Sequence, residues 1–236
     1  MIGSLIRDAR AAQRGVLGEI ESKRLVAAAG IAVVPTRLAR SADEASSIAH
    51  ELGFPAVLKL ASPDVVHKSD IGGVRLGLAD GQAVARAFEE LRQAAERAAS
   101  PTHFEGVAVQ PMAPAGLELL LGAYRDAQFG PVISFGLGGV LVEVYEDVAL
   151  RVAPLHPVDA AEMVGEIRAA RLLAGFRGRP AVNRAAIEQA LLGLSALMLA
   201  APDVAELDLN PVIAYPDRIL AVDARVVLTP ASEPRP

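Results

Sequence analysis

A chain of 236 residues with 52% hydrophobic side chains and a formal net charge of −5 is long enough for one large domain or two small lobes and too apolar to be disordered. Its acidic balance excludes a nucleic-acid binder that works by phosphate neutralisation. The absence of cysteine excludes disulfides and thiol chemistry and agrees with a reducing compartment.

The amino-terminal stretch MIGSLIRDARAAQRG is broken by charge, unlike a secretory signal. The next segment, VLGEIESKRLVAAAGIAV, reads as a helix closed by Gly30, followed by a short strand near Val33. In SADEASSIAHELG the pair Ser41 and Glu44 forms a capping box and Gly53 closes the helix. PAVLKL is a buried strand that carries one charge, Lys59, and GVRLGL is the next strand; GQAVARAFEELRQAAERAA is a long amphipathic helix.

Beyond GVAVQPM, residues 106–112, the pattern turns strand-rich: LELLLGAYRD, PVISFGLGG, VLVEVYED and VALRVAPL. Helices follow around Pro157–Arg168 and Asn183–Ala200. The latter contains the longest apolar run, ALLGLSALMLAA, which reads as a buried helix because it is too short to span a membrane. Two last strands, VAELDLNPVIAY and ILAVDARVVL, flank a turn at Pro216 and Asp217. The tail TPASEPRP, from position 229 on, is expected to fray. These elements predict a single 236-residue α+β assembly, with a small lobe over 19–109, a larger lobe over 110–228 and residues 1–18 packed on the latter. A soluble, cytoplasmic protein is expected, with a ligand site in the cleft between lobes.

Four features carry chemistry. Lys59 on a buried strand either runs its stem to the surface or clamps phosphates as a point charge. Gly136, Gly138 and Gly139, in SFGLGGVLVE, form either a plain glycine-rich hairpin or a ring of backbone N–H groups around an anion. The run lacks the Gly-Lys-Ser/Thr of a P-loop and the following helix of a dinucleotide-binding fingerprint. Glu206, Asp208 and Asn210 alternate in ELDLNP and so share one face of a strand. With Asp223 alongside they offer hard oxygen ligands of the kind that suit Mg²⁺, or else they form a solvated charged stripe. His67, in SPDVVHKSDIGGVRL, stands among Lys68, Asp70 and Arg75, and a neutral imidazole is a competent phosphoryl acceptor.

The collinear series ESKRLVAAAGI, FPAVLKLASPDVVHKSDIGGV, VAVQPMAPAGLELLLG, FGPVISFGLGGVLVEVYEDVALRVAPL, LLAGFRGRP, AELDLNPV and AVDARVVL resembles the β subunit of ADP-forming acyl-CoA (acetate-CoA) synthetases. These are ATP-grasp proteins related to the β subunit of succinyl-CoA synthetase. The resemblance runs from about Glu19 to Leu228. It implies an ATP-grasp fold of two α+β lobes with the nucleotide site between them. The implied reaction is acyl-CoA + ADP + phosphate ⇌ carboxylate + CoA + ATP, by Mg²⁺-dependent phosphoryl transfer through phosphohistidine, with ATP/ADP and Mg²⁺ as cofactors.

By the same resemblance Lys59 touches the nucleotide phosphates, and Gln110, Pro111 and Met112 form the adenine-binding hinge. Glu118 contacts the ribose or another part of the nucleotide, and Lys23 is an early lysine of the nucleotide lobe. Asn210 and Asp223 hold Mg²⁺. Asp208 lies near the docking point of the phosphohistidine, and His67 is a second phosphoryl carrier. Arg151 is placed to neutralise the transferring phosphate. The CoA-binding and acyl-site domains are absent from the chain. An α subunit carrying them is therefore the expected partner, in an α2β2 heterotetramer. The competing expectations are a stand-alone ATP-grasp carboxylate ligase, which has no need of His67, and a nucleotide-sensing subunit without catalysis.

Overall fold

The computed structural model of the chain describes residues 2–63, 71–97, 103–139 and 147–230. The strand expected in VLVEVYED falls largely outside these, as does His67 with Lys68 and Asp70. The described chain forms two compact units. One gathers Gly18–Ile20 with Val34–Pro114, the other Met1–Leu17, Glu21–Val33 and Ala115–Pro236.

The smaller unit is a four-stranded antiparallel sheet in the order β1-β4-β2-β3. Its strands are β1 (Arg37–Ala39), β2 (Ala56–Ala61), β3 (Val74–Leu78) and β4 (Gly106–Pro111), with α3 (Ala42–Leu52) and α4 (Gly81–Arg97) in between. The Ser41 hydroxyl accepts the Glu44 N–H at 3.2 Å, while the Glu44 carboxylate reaches back to the N–H of Arg40 at 2.7 Å, one residue short of the reciprocal box. Gly53 ends α3 at φ 107°, a conformation that L side chains disfavour, and its N–H returns to the Ala49 carbonyl. In α4 the residues Val84, Ala87, Phe88, Leu91 and Ala95 are buried at helical spacing. Most of them pack with Ala45, Ile48 and Ala49 of α3 on Ala56 and Leu58 of β2 and Val107 and Val109 of β4. Alternation then turns Val57, Lys59, Ala108 and Gln110 to the face away from the helices.

The larger unit is a six-stranded antiparallel sheet in the order β10-β8-β5-β6-β7, with β9 also paired to β8. It comprises β5 (Leu117–Asp126), β6 (Gly130–Leu137), β7 (Val148–Val152), β8 (Val204–Ala214), β9 (Ile219–Ala221) and β10 (Arg225–Leu228). Its helices are α1 (Ile2–Ala11), α2 (Glu19–Ala28, whose first turn groups with the smaller unit), α5 (Pro157–Glu166), α6 (Ala170–Leu173) and α7 (Arg184–Ala200). One sheet face, with Leu119, Leu121, Ile133, Phe135, Leu207 and Leu209, joins a single core with Met163 of α5, Ile187 and Leu191 of α7, Ile6 of α1 and Leu25 of α2. Asn183 caps α7, its side-chain oxygen accepting the N–H of Ala186.

Two expectations change. The lobe boundaries shift: residues 21–33 group with the larger unit, and residues 110–114 with the smaller one. The final strand, expected to be continuous, is broken: β9 pairs with Val212–Ala214 of β8 and β10 with Val204–Asp208, so Asp223 sits in the gap and not on a strand. The break faces Asn210 and Pro211, where Pro211 has no N–H for a ladder; instead its carbonyl accepts the N–H of Val222.

Candidate functional site

In the smaller unit the position of Lys59 raises an immediate electrostatic question, because it is only 5% exposed. An unpaired ammonium there would be costly. The first turn of α2 supplies the answer: Glu19, 9% exposed, accepts from Lys59 Nζ at 2.8 Å. Gln110 lies on the same sheet face, opposite Val57 in register and 1% exposed, and its side-chain oxygen accepts from the Thr36 hydroxyl at 3.3 Å. Met112 is exposed, and its N–H donates to the Pro55 carbonyl; Pro111 between them is half-buried.

The larger unit presents a second set of groups. On the sheet face away from the helices, register lines up Arg225, Asp208, Gly122, Ser134 and Leu150 across five strands. Burial, then the neighbouring charge of Glu206, raises the pKa of Asp208; Arg225 opposes this and Asp223 adds to it. Arg225 is itself drawn to Glu206, with Nη1 2.8 Å from its carboxylate.

The glycine run meets this strand directly. Gly139 donates its N–H to Asn210 Oδ1 at 3.0 Å. A Cβ at Gly139, whose φ is +64°, would strike the Glu118 carboxylate. One at Gly138 would come 2.5 Å from the Leu119 carbonyl, and one at Gly136 2.6 Å from that of Asp147. So Glu118, Gly139 and Asn210 are in mutual reach, and the run is glycine because backbone passes over backbone there. Asp223 accepts the N–H of Ala224 at 2.9 Å and is close enough to Asp208 to affect its titration. Among the described residues no group of three or more His, Cys, Asp or Glu is arranged to hold a metal ion.

Lys23 is buried, on the part of α2 that belongs to the larger unit. Arg151 does not join this set. It shares the helix-facing side of β7 with buried Ala149, and its guanidinium grips Glu166 of α5 with two bonds, at 2.7 and 2.9 Å. That pairing, with Glu162 nearby, holds its pKa above the ordinary arginine value. In this structure Arg151 thus forms a strand-to-helix tie. Sequence reading missed Glu19, whose only signal is an acidic residue opening α2, and Arg225, whose pairing depends on register.

A family model described as an ATP-grasp domain matches residues 8–228. The chain belongs to the ATP-grasp family. The β subunit of acetate–CoA ligase [ADP-forming] I from Pyrococcus furiosus is 40% identical over 224 residues, covering 95% of this chain and 96% of that subunit. A chain of acetyl-coenzyme A synthetase 1 from Ca. Korarchaeum cryptofilum, solved with coenzyme A, Ca-AMPCP and HgCl+, superposes with a TM-score of 0.93 at 46% identity, covering 96% of this chain and 99% of that one. A further structure of that synthetase contains coenzyme A and Mg-AMPPCP, with its phosphohistidine segment pointing towards the nucleotide binding site. It superposes at 0.86 with 43% identity, over 97% of this chain and 100% of that one.

Proposed function

We propose that this chain is the nucleotide-binding β subunit of an ADP-forming acyl-CoA ligase, catalysing acyl-CoA + ADP + phosphate ⇌ carboxylate + CoA + ATP together with a partner subunit. The observation that carries the reading is the Gly139 N–H on Asn210 Oδ1 beside Glu118. It supports a glycine run and a strand of oxygen donors acting as one constellation, in a chain whose full-length relative is such a β subunit.

Lys59 is the phosphate-binding cation, kept charged in a buried position by Glu19. Gln110, Pro111 and Met112 line the adenine, Glu118 and Lys23 add nucleotide contacts, and Gly136, Gly138 and Gly139 present backbone around the phosphates. Asn210 and Asp223 fit Mg²⁺, a hard cation that takes one or two protein oxygens and leaves its other positions to phosphate and water. When bound, it supplies charge neutralisation on the phosphates. His67 accepts the γ-phosphoryl group: its free imidazole nitrogen forms the N–P bond as the bond from the γ-phosphorus to the bridging oxygen of ADP breaks, and ADP leaves with the electron pair. Asp208, poised on the same strand as Asn210, serves where the phosphohistidine docks. The partner carries the CoA-binding and acyl-site domains, and the assembly is α2β2. Arg151, committed to Glu166, has no part in the transfer.

The test is phosphoryl capture. The purified chain is incubated with γ-labelled ATP and Mg²⁺, with and without a CoA-binding partner subunit. Acid-labile, base-stable label that disappears in His67→Ala is the expected result. Nucleotide binding without label in the presence of a competent partner would show a sensing subunit. Carboxylate ligation by His67→Ala alone would show a self-sufficient ligase.

A further inference from the structure

We propose that the larger unit carries a second small-molecule site, for an organic anion with a planar or branched apolar body, on the opposite side of β5 from Glu118. A cavity of about 480 Å³ opens there, within the size range of ligand sites. Its floor is apolar. Leu117 and Ala214, paired in register on β5 and β8, join Leu172 and Val182. Leu117 points to the helix-packed face, as Leu119 does, whereas Glu118, between them in sequence, points to the other. This pocket and the Glu118–Gly139–Asn210 constellation therefore lie on opposite sides of one strand.

The rim supplies charge. Residues 176–179 make a tight turn in which the Arg179 N–H donates to the Phe176 carbonyl at 3.1 Å, with φ +48° at Arg177 and +84° at Gly178. Both central residues are left-handed, the arrangement of a type I′ turn, in which Gly or Asn is normal and Arg is strained. The turn thrusts Arg177 and Arg179 to the cavity mouth with Phe176, half exposed, as one wall. Arg177 lies 5.3 Å over the Phe176 ring. Tyr215 also lines the cavity, with Arg218 stacked 4.8 Å over its ring. Arg218 is already neutralised by Asp217 at 2.7 Å. Arg177 and Arg179, by contrast, have no carboxylate partner among the described residues. Two guanidinium groups without a carboxylate partner among the described residues, beside an apolar floor and the rings of Phe176 and Tyr215, select an anion, a carboxylate or phosphate, with an apolar body.

The probe is 8-anilinonaphthalene-1-sulfonate, titrated by fluorescence into the full chain and displaced by phenylacetate, phenyl phosphate or neutral phenylacetamide. Saturable one-to-one binding is expected, weakened about tenfold in Arg179→Gln by loss of one charge-assisted contact. Arg177→Asn separates binding from folding, because Asn tolerates the left-handed backbone: it should bind the probe about tenfold more weakly while melting no lower than the parent. Val182→Phe should block the floor. Displacement by phenylacetate but not phenyl phosphate marks a carboxylate site, and the reverse a phosphate site. Equal displacement by phenylacetamide, displacement by Mg-ATP, or binding unchanged in the arginine variants would overturn the proposal.

Discussion

At Asp208, burial and the charges of Glu206 and Asp223 oppose ionisation, and Arg225 favours it; the balance raises the pKa. A raised carboxyl pKa means that the folded state binds the proton more tightly than the unfolded chain does. The resulting stability is complete below the unfolded value near 3.8 and is lost as pH rises through the higher folded value. At neutral pH the raised pKa of Asp208 therefore works against folding. Asp208→Asn is expected to melt above the parent at pH 7, with a difference that shrinks on acidification and disappears below about pH 3.8. Scanning calorimetry across that range checks it, and equal melting temperatures at pH 7 would refute it. An acid retained at a cost to stability is what a functional position looks like. Strand alternation alone placed Glu206 and Asp208 on one face. It could not show that Arg225 stands opposite Asp208, since register is a tertiary property. Nor could it find Glu19, forty residues before Lys59, as the anion that lets a lysine sit in a buried strand.

At the scale of elements, the glycine run separates two kinds of crowding. At Gly138 an added Cβ meets the carbonyl carbon, oxygen and amide nitrogen of Leu119, between 2.5 and 2.9 Å away, and none of these can move without shifting β5. At Gly139 it meets the end of the Glu118 side chain, which can swing, although φ +64° still disfavours Ala. Gly138→Ala is expected to lose about 2–3 kcal/mol of stability. Gly139→Ala should lose about 1 kcal/mol, the left-handed penalty, while displacing Glu118 and Asn210 and so weakening nucleotide binding more than folding. Urea titration gives the first quantity and nucleotide titration the second. Equal stability losses would mean that Glu118 is not free to move.

Sequence periodicity recovered most of these elements because their apolar faces are regular, as in α4, or their ends are capped, as at Ser41, Gly53 and Asn183. It failed at the last strand, where VDA looks like any apolar stretch. The interruption there follows from pairing with two separate parts of β8 on either side of Pro211. It failed again at Arg151, where the edge strand β7 shows Val148, Leu150 and Val152 to solvent and turns its arginine to the helices, the reverse of simple apolar-in alternation.

For the whole molecule, ligand linkage measures whether Asn210 and Asp223 act on a bound cation. A ligand that binds only the folded chain stabilises it by RT ln(1 + [L]/Kd), about 2.7 kcal/mol at a hundredfold excess over Kd. For a chain of this size each kcal/mol moves the midpoint by roughly 2–4 °C, so saturating Mg-ATP should raise it by about 5–10 °C. EDTA should remove most of the rise, because a divalent cation neutralises phosphate charge that the protein would otherwise have to meet alone. Asn210→Ala and Asp223→Ala should each remove the part that depends on Mg²⁺ and keep the smaller part given by ATP with EDTA. Asn210→Ala also releases the Gly139 N–H, so its melting point without ligand should fall slightly. Differential scanning fluorimetry with ATP, ATP plus Mg²⁺ and ATP plus EDTA resolves the three arms. A full shift in Asp223→Ala would remove that residue from the metal site, and an EDTA-insensitive shift in the parent would remove the metal from nucleotide binding altogether.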